Sequence, residues 1–225
     1  MLREDYILSW IRRYLQWMAE LFGLVRAQDH ELALRRIDMI LRTLLEVGPD
    51  SVTKLTDGEI LARLTLGDPP QLVQEKFVVL AAVLEQLGIV FLAKNQPDIA
   101  RDCFVKALHL IVGLKLRGST PQLIEHAPTL ERLTERLRHM VVPERTWASL
   151  MLLFEREGKY AKAEDALFTL LDSAPENREA IELGIEFYKR LTVLSDEALE
   201  AGDLPRAEVA AGLAELEQRL SRLAK

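Results

Sequence analysis

The sequence predicts an all-helical protein, and three observations predict it. Apolar residues recur three and four positions apart along most of the chain, the period of one helix face. No stretch alternates apolar with polar residues between turn signals, so no strands are expected. Proline, glycine and aspartate punctuate the chain where helices would start and stop, as in "GDPPQ", "STPQ", "VVPER" and "AGDLPRAE".

Taken in order, the periodicity predicts a first helix from about Arg3 to Val25 and a second from His30 to Glu46. A short helix is expected near Asp57 to Leu66. A long one follows from Pro69 to Lys94, with Asp68 as its N-cap and Pro69 as its first residue. Its partner runs from Pro97 to Leu114. Thr120 and Pro121 open a stretch of one or two helices to Met140, broken at Pro128. Pro143 to Glu157 and Tyr160 to Ser173 form a hairpin around Gly158. Asn177 to Leu194 and Leu204 to Leu223 close the chain, with Gly202 ending one helix and Asp203 capping the next.

Composition narrows the function classes. The chain has 225 residues, 49% hydrophobic and 28% charged, which reads as soluble and folded with a sizeable core. The net charge of −6 leaves no basic excess for phosphates, so nucleic acid is not an expected partner. The one cysteine, Cys103, has no internal partner and fits a reducing cytoplasm. At the N-terminus Arg3, Glu4 and Asp5 precede an interrupted apolar pattern, unlike a secretory leader. The run 77–93 is broken by Glu85 and Gln86 and is read as a buried helix rather than a membrane span.

A repeat is written into the helices. Trp147, Leu150 and Phe154 share one face; after Gly158, Ala163 and Leu167 lie one turn apart on the next helix, and Pro175 stops it. Leu84, Leu87, Gly88 and Phe91 followed by Ala100, Phe104 and Ala107 give a second copy. Phe91 to Ala100 and Phe154 to Ala163 are both nine residues. A degraded copy opens the chain, with Trp17 sixteen residues before Ala33 and with Leu24 and Ile37 in the other apolar slots. Tyr188 lies 34 residues after Phe154, one repeat length on. These residues resemble the tetratricopeptide repeat (TPR), with Met151, Phe154 and Leu167 departing from its usual Gly, Tyr and Phe. The chain also resembles an uncharacterised bacterial family of this plan, through "EDYI", "GKYAKAEDALF" and "LSDEALEAGDLPRAEV". That resemblance implies a helical fold and no known activity.

The expected architecture is therefore an all-α, irregular TPR-like helical-hairpin array, an α-α superhelix, forming a single domain over 1–225. Its recognisable hairpins lie at about 3–46, 81–114 and 144–177, and 178–225 forms a C-terminal cap. In the last helix Val209, Leu213, Leu216, Leu220 and Leu223 line the face expected to pack.

No chemistry is expected. His30, His109, His126 and His139 have no metal-ligand spacing, and no cofactor or metal is predicted. G-x-S-x-G, P-loop and G-x-G-x-x-G signatures are absent from the sequence, so no catalytic residue is assigned and the protein is read as a non-enzyme. His139, with Arg136 and Arg138, suits a helix C-terminus.

The TPR resemblance implies a concave groove lined by the first helix of each hairpin. Here those positions are Met18, Phe22 and Val25; Glu85, Ile89 and Leu92; and Ala148, Leu152 and Glu155. The Lys, Asn and Arg set with which some such arrays hold a terminal carboxylate is missing. The column is mostly apolar, which suits an amphipathic segment of a partner protein, or else the chain's own intervening helices. The first helix carries a second stripe, Tyr6, Trp10, Tyr14, Trp17 and Leu21, beside Ile7, Ile11, Leu15, Met18 and Phe22. If exposed, its aromatic residues Tyr6, Trp10, Tyr14 and Trp17 form a dimer interface. A membrane-surface role is not expected, because Lys and Arg are few on the polar face. Two readings stand: a scaffold that binds a protein segment in the groove, or a self-associating structural or regulatory protein whose groove is self-filled.

Overall fold

A computed structural model describes residues 2–223, with side chains from residue 5. The Arg3 and Glu4 side chains of the leader reading lie outside the described residues. Among those described, the regular elements are twelve α-helices and one 3-10 turn. They divide into two compact units, Met1–Val141 and Val142–Lys225, each with its own core.

In the first unit, α1 (Leu2–Arg26) pairs with α2 (His30–Leu45). The link turns through Gln28 at φ +59°, and the Asp29 side chain caps α2 by accepting from the Leu32 N–H at 3.1 Å. Ala33 and Ile37, the repeat's second-helix anchors, are fully buried. A single turn, α3 (Pro49–Val52), was not expected from the pattern. It precedes α4 (Asp57–Thr65), which opens with a capping box: Glu59 N–H donates to Thr56 Oγ1 (3.2 Å) and Thr56 N–H to Glu59 Oε2 (2.7 Å).

The long hairpin of α5 (Pro70–Ala93) and α6 (Pro97–Leu116) is the core of this unit. Gly88 is the reason it packs so closely. A Cβ placed there would lie 2.4 Å from Cε1 of Phe104, so only glycine admits the ring. Ala100, Phe104 and Ala107 are fully buried against α5. By length and composition α5 could cross a bilayer, but most of it is buried among α1, α2 and α6.

After α6 come a 3-10 turn (Gln122–His126) and α7 (Leu130–Leu137), separated around Pro128. Glu75 of α5 is buried and accepts from the N–H groups of Gln122 (2.7 Å) and Leu123 (2.9 Å), which fastens the turn. Asp68 is not the N-cap of α5. Its carboxylate pairs with buried Lys76, and Pro69 takes the cap position.

In the second unit, α8 (Glu144–Arg156) and α9 (Tyr160–Ser173) form the expected hairpin, turning at Gly158 with φ +71°. Pro143 stands at its N-cap position rather than inside α8. Then follow α10 (Arg178–Thr192), a short α11 (Asp196–Ala201) that the pattern missed, and α12 (Arg206–Leu223). Helix α10 packs against both α9 and α12. A Cβ at Gly184 would press on Leu216 and Leu167, and one at Gly212 would lie 2.3 Å from the Tyr188 ring. The packing face of α12 is Val209, Gly212 and Leu216, with Leu213 and Leu220 half-buried and Leu223 exposed, so the apolar stripe runs past the packed face. Asp203 adopts φ +59° in the turn, three residues before α12 begins, and is not its cap.

Candidate functional site

The nine groove positions fall into two environments. In the second unit, α8 and the end of α10 enclose an open depression of about 350 Å³. Leu152, Glu155 and Arg156 of α8, Tyr160 at the start of α9, and Arg190, Leu191 and Leu194 line it. Leu152 is 42% exposed and Leu191 is buried, which makes a rim and a floor. Arg190 donates to both oxygens of Glu155, at 2.6 and 2.8 Å. That carboxylate holds the guanidinium's pKa above its ordinary value. Leu152 and Glu155 were legible in the sequence; Arg190 of α10 and Leu194 just past its end were not, because they lie 35 or more residues on. Ala148 is half-buried on the same helix.

In the first unit the chain covers part of its own column. Met18 is buried and shares a small internal cavity with Leu123 and His126 of the 3-10 segment. Glu85 is 1% exposed, and Arg132 (2.7 Å) and Arg136 (3.1 Å) of α7 close over its carboxylate. Neither side chain is available as a groove surface while the 3-10 segment and α7 cover them. Phe22, Val25 and Ile89 are half-buried, and Leu92 is exposed.

The aromatic stripe of α1 also splits. Tyr14 is fully buried, its hydroxyl has no partner, and burial pushes its pKa up, so it is a core residue and not an interface residue. Trp10 and Trp17 are half-buried in a ladder with Tyr14, and Arg13 and Lys76 lie over the Trp10 ring. Only Tyr6 of the four, with neighbouring Leu8, is well exposed.

Cys103 is buried and its thiol pKa is pushed up by desolvation. His109 Nδ1 sits 3.0 Å from Asp57 Oδ2, tying α6 to the start of α4. Among the described residues no three His, Cys, Asp or Glu gather to hold a metal ion. The arrangement offers an open hollow of mixed lining, three leucines and Tyr160 beside Glu155, Arg156 and Arg190, suited to an aliphatic side chain next to a polar group.

The chain belongs to a family of unknown function, DUF6483, which matches residues 1–221. No curated protein and no solved structure matches it.

Proposed function

We propose that this protein is a non-enzymatic, TPR-like interaction module that binds a segment of a partner protein on the α8–α10 face of its second unit. One observation carries the reading. Helix α8, helix α10 and the turn after α10 present Leu152, the Glu155–Arg190 pair and Leu194 to a common open hollow. The repeat grammar supports the TPR-like assignment: Gly88 under Phe104, and the buried small anchors Ala33, Ala100 and Ala163. The lone buried cysteine fits a cytoplasmic setting.

A photo-crosslinking residue at position 152, introduced in the native cell, tests this. It is expected to give a discrete adduct with a second protein, and the same residue at exposed Glu217 of α12 is expected to give none. No adduct at 152, or the same adduct at both positions, sinks the reading.

A second reading is self-association through the outer face of α1, favoured by Tyr6 at 47% exposure, with its ring against half-buried Trp10. Light scattering decides it. A wild-type dimer that becomes a folded monomer on Tyr6→Glu supports it, and a monomeric wild type removes it.

A further inference from the structure

Helix α7 is only eight residues long, too short to persist on its own in water. Its structure comes from the α5–α6 hairpin on which it lies. It buries Leu130, Leu133 and Leu137, at i, i+3 and i+7, while Glu131 and Glu135 face solvent. Arg132 and Arg136, one turn apart, reach back to the same carboxylate on α5, and the Arg136 guanidinium also sits 5.5 Å from the Phe104 ring centre. This is the pattern by which an amphipathic helix is recognised in a groove.

We propose that the α5–α6 face under α7 is a docking site for an arginine-bearing amphipathic helix of a partner protein, with α7 as its resident occupant in cis. Charge complementarity identifies the partner. Glu85 is 1% exposed beneath the two guanidiniums, one of which also lies over the Phe104 ring. Left without a cation there, the carboxylate would be strongly destabilising. A competing helix must therefore bring leucines at α7's spacing and a guanidinium for Glu85; a purely apolar helix is rejected. The flanks permit exchange. Residues 117–121 and 138–143 form no regular helix, with Gly118 at φ +65° and Val141 84% exposed. The 3-10 turn has its own anchor at Glu75, so α7 can leave without it. This site is separate from the α8–α10 face and stands or falls without it.

The test uses the full chain and a fluorescein-labelled peptide of residues 127–140, read by anisotropy. The Arg132→Ala/Arg136→Ala chain has its cis helix loosened and is expected to bind the peptide about ten-fold or more tighter than wild type. Replacing both arginines in the peptide is expected to weaken that binding at least about ten-fold, as is adding Glu85→Gln to the chain. Equal binding by the arginine-less peptide, or no gain over wild type in a variant with an unchanged circular dichroism spectrum, overturns the proposal. A variant that dimerises and is split by the peptide overturns the partner assignment in favour of a second copy's α7. Should the double variant not fold, hydrogen exchange on wild type decides. The α7 amides are expected to exchange at least about ten-fold faster than those of α5 and α6, and equal protection overturns the proposal.

Discussion

The Tyr188 hydroxyl donates to Glu164 Oε1 at 2.5 Å, joining α10 to α9. Burial raises the Glu164 pKa, the tyrosine's hydrogen bond partly offsets this, and Glu208, Asp165 and Glu215 add to the rise. Burial also raises the Tyr188 pKa, followed by its bond to Glu164, so the phenol stays neutral. The pair thus places a carboxylate where ionisation is disfavoured.

The sign of the pH dependence follows. A carboxyl whose folded pKa lies above its unfolded 4.5 binds more protons in the native state. Its stabilising contribution is complete below 4.5 and is lost as pH rises through the folded value. Glu164→Gln keeps an acceptor for Tyr188 and removes the charge. Urea unfolding at pH 4 and pH 7 is expected to show the variant gaining on wild type at the higher pH. A gain confined to pH 4 would contradict this assignment.

Gly88→Ala introduces a methyl against the Phe104 ring at a distance no relaxed contact reaches. The expected loss is about 1–3 kcal/mol of stability, from overpacking. Combining it with Phe104→Leu is expected to recover part of that loss, because the methyl then has room. Denaturant titration of the single and double variants checks both statements.

Thr56→Ala removes one half of the α4 capping box, the acceptor for the Glu59 N–H. It is expected to lower stability by about 1 kcal/mol. It should also remove the Thr56 hydroxyl bond to the Glu59 carboxylate while leaving the larger bond from the residue-56 backbone N–H, so the Glu59 pKa, held below the usual range, is expected to rise only part of the way back. NMR titration of Glu59 in both proteins reads the shift, and an unchanged pKa would mean the box does not persist in solution.

Arg190→Ala leaves Glu155 without its bidentate partner on a half-exposed wall. Because both groups are in contact with water, the expected stability change is within about 1 kcal/mol. Binding at the α8–α10 face should suffer more than folding does. A photo-adduct at position 152 that survives Arg190→Ala unchanged would detach the ion pair from the proposed site.

Much of the fold was legible because its causes are local. The period of three and four, the small anchors at Ala33, Ala100 and Ala163, and the turn at Gly158 are all read within one hairpin. The short α3 and α11 were missed, since four and six residues give too little periodicity to detect. Asp68 was misread as a cap because its real partner, Lys76, is chosen in three dimensions. Of the candidate sites, the sequence supplied the α8 half of the open hollow and nothing of its α10 half.

By itself the sequence determined that this chain is helical, where its hairpins turn, and which small residues let paired helices approach. Those features depend on backbone preference and on neighbours within a few tens of residues. Only the tertiary structure decided which apolar stripe of α1 is core, with Tyr14 buried and Tyr6 exposed. Only it decided that Glu85 is sealed by arginines 47 and 51 residues away. The physical reason is the same in both cases. A stripe or a carboxylate has no environment until distant helices pack against it, and burial, not residue type, then sets whether it is core, latch or surface.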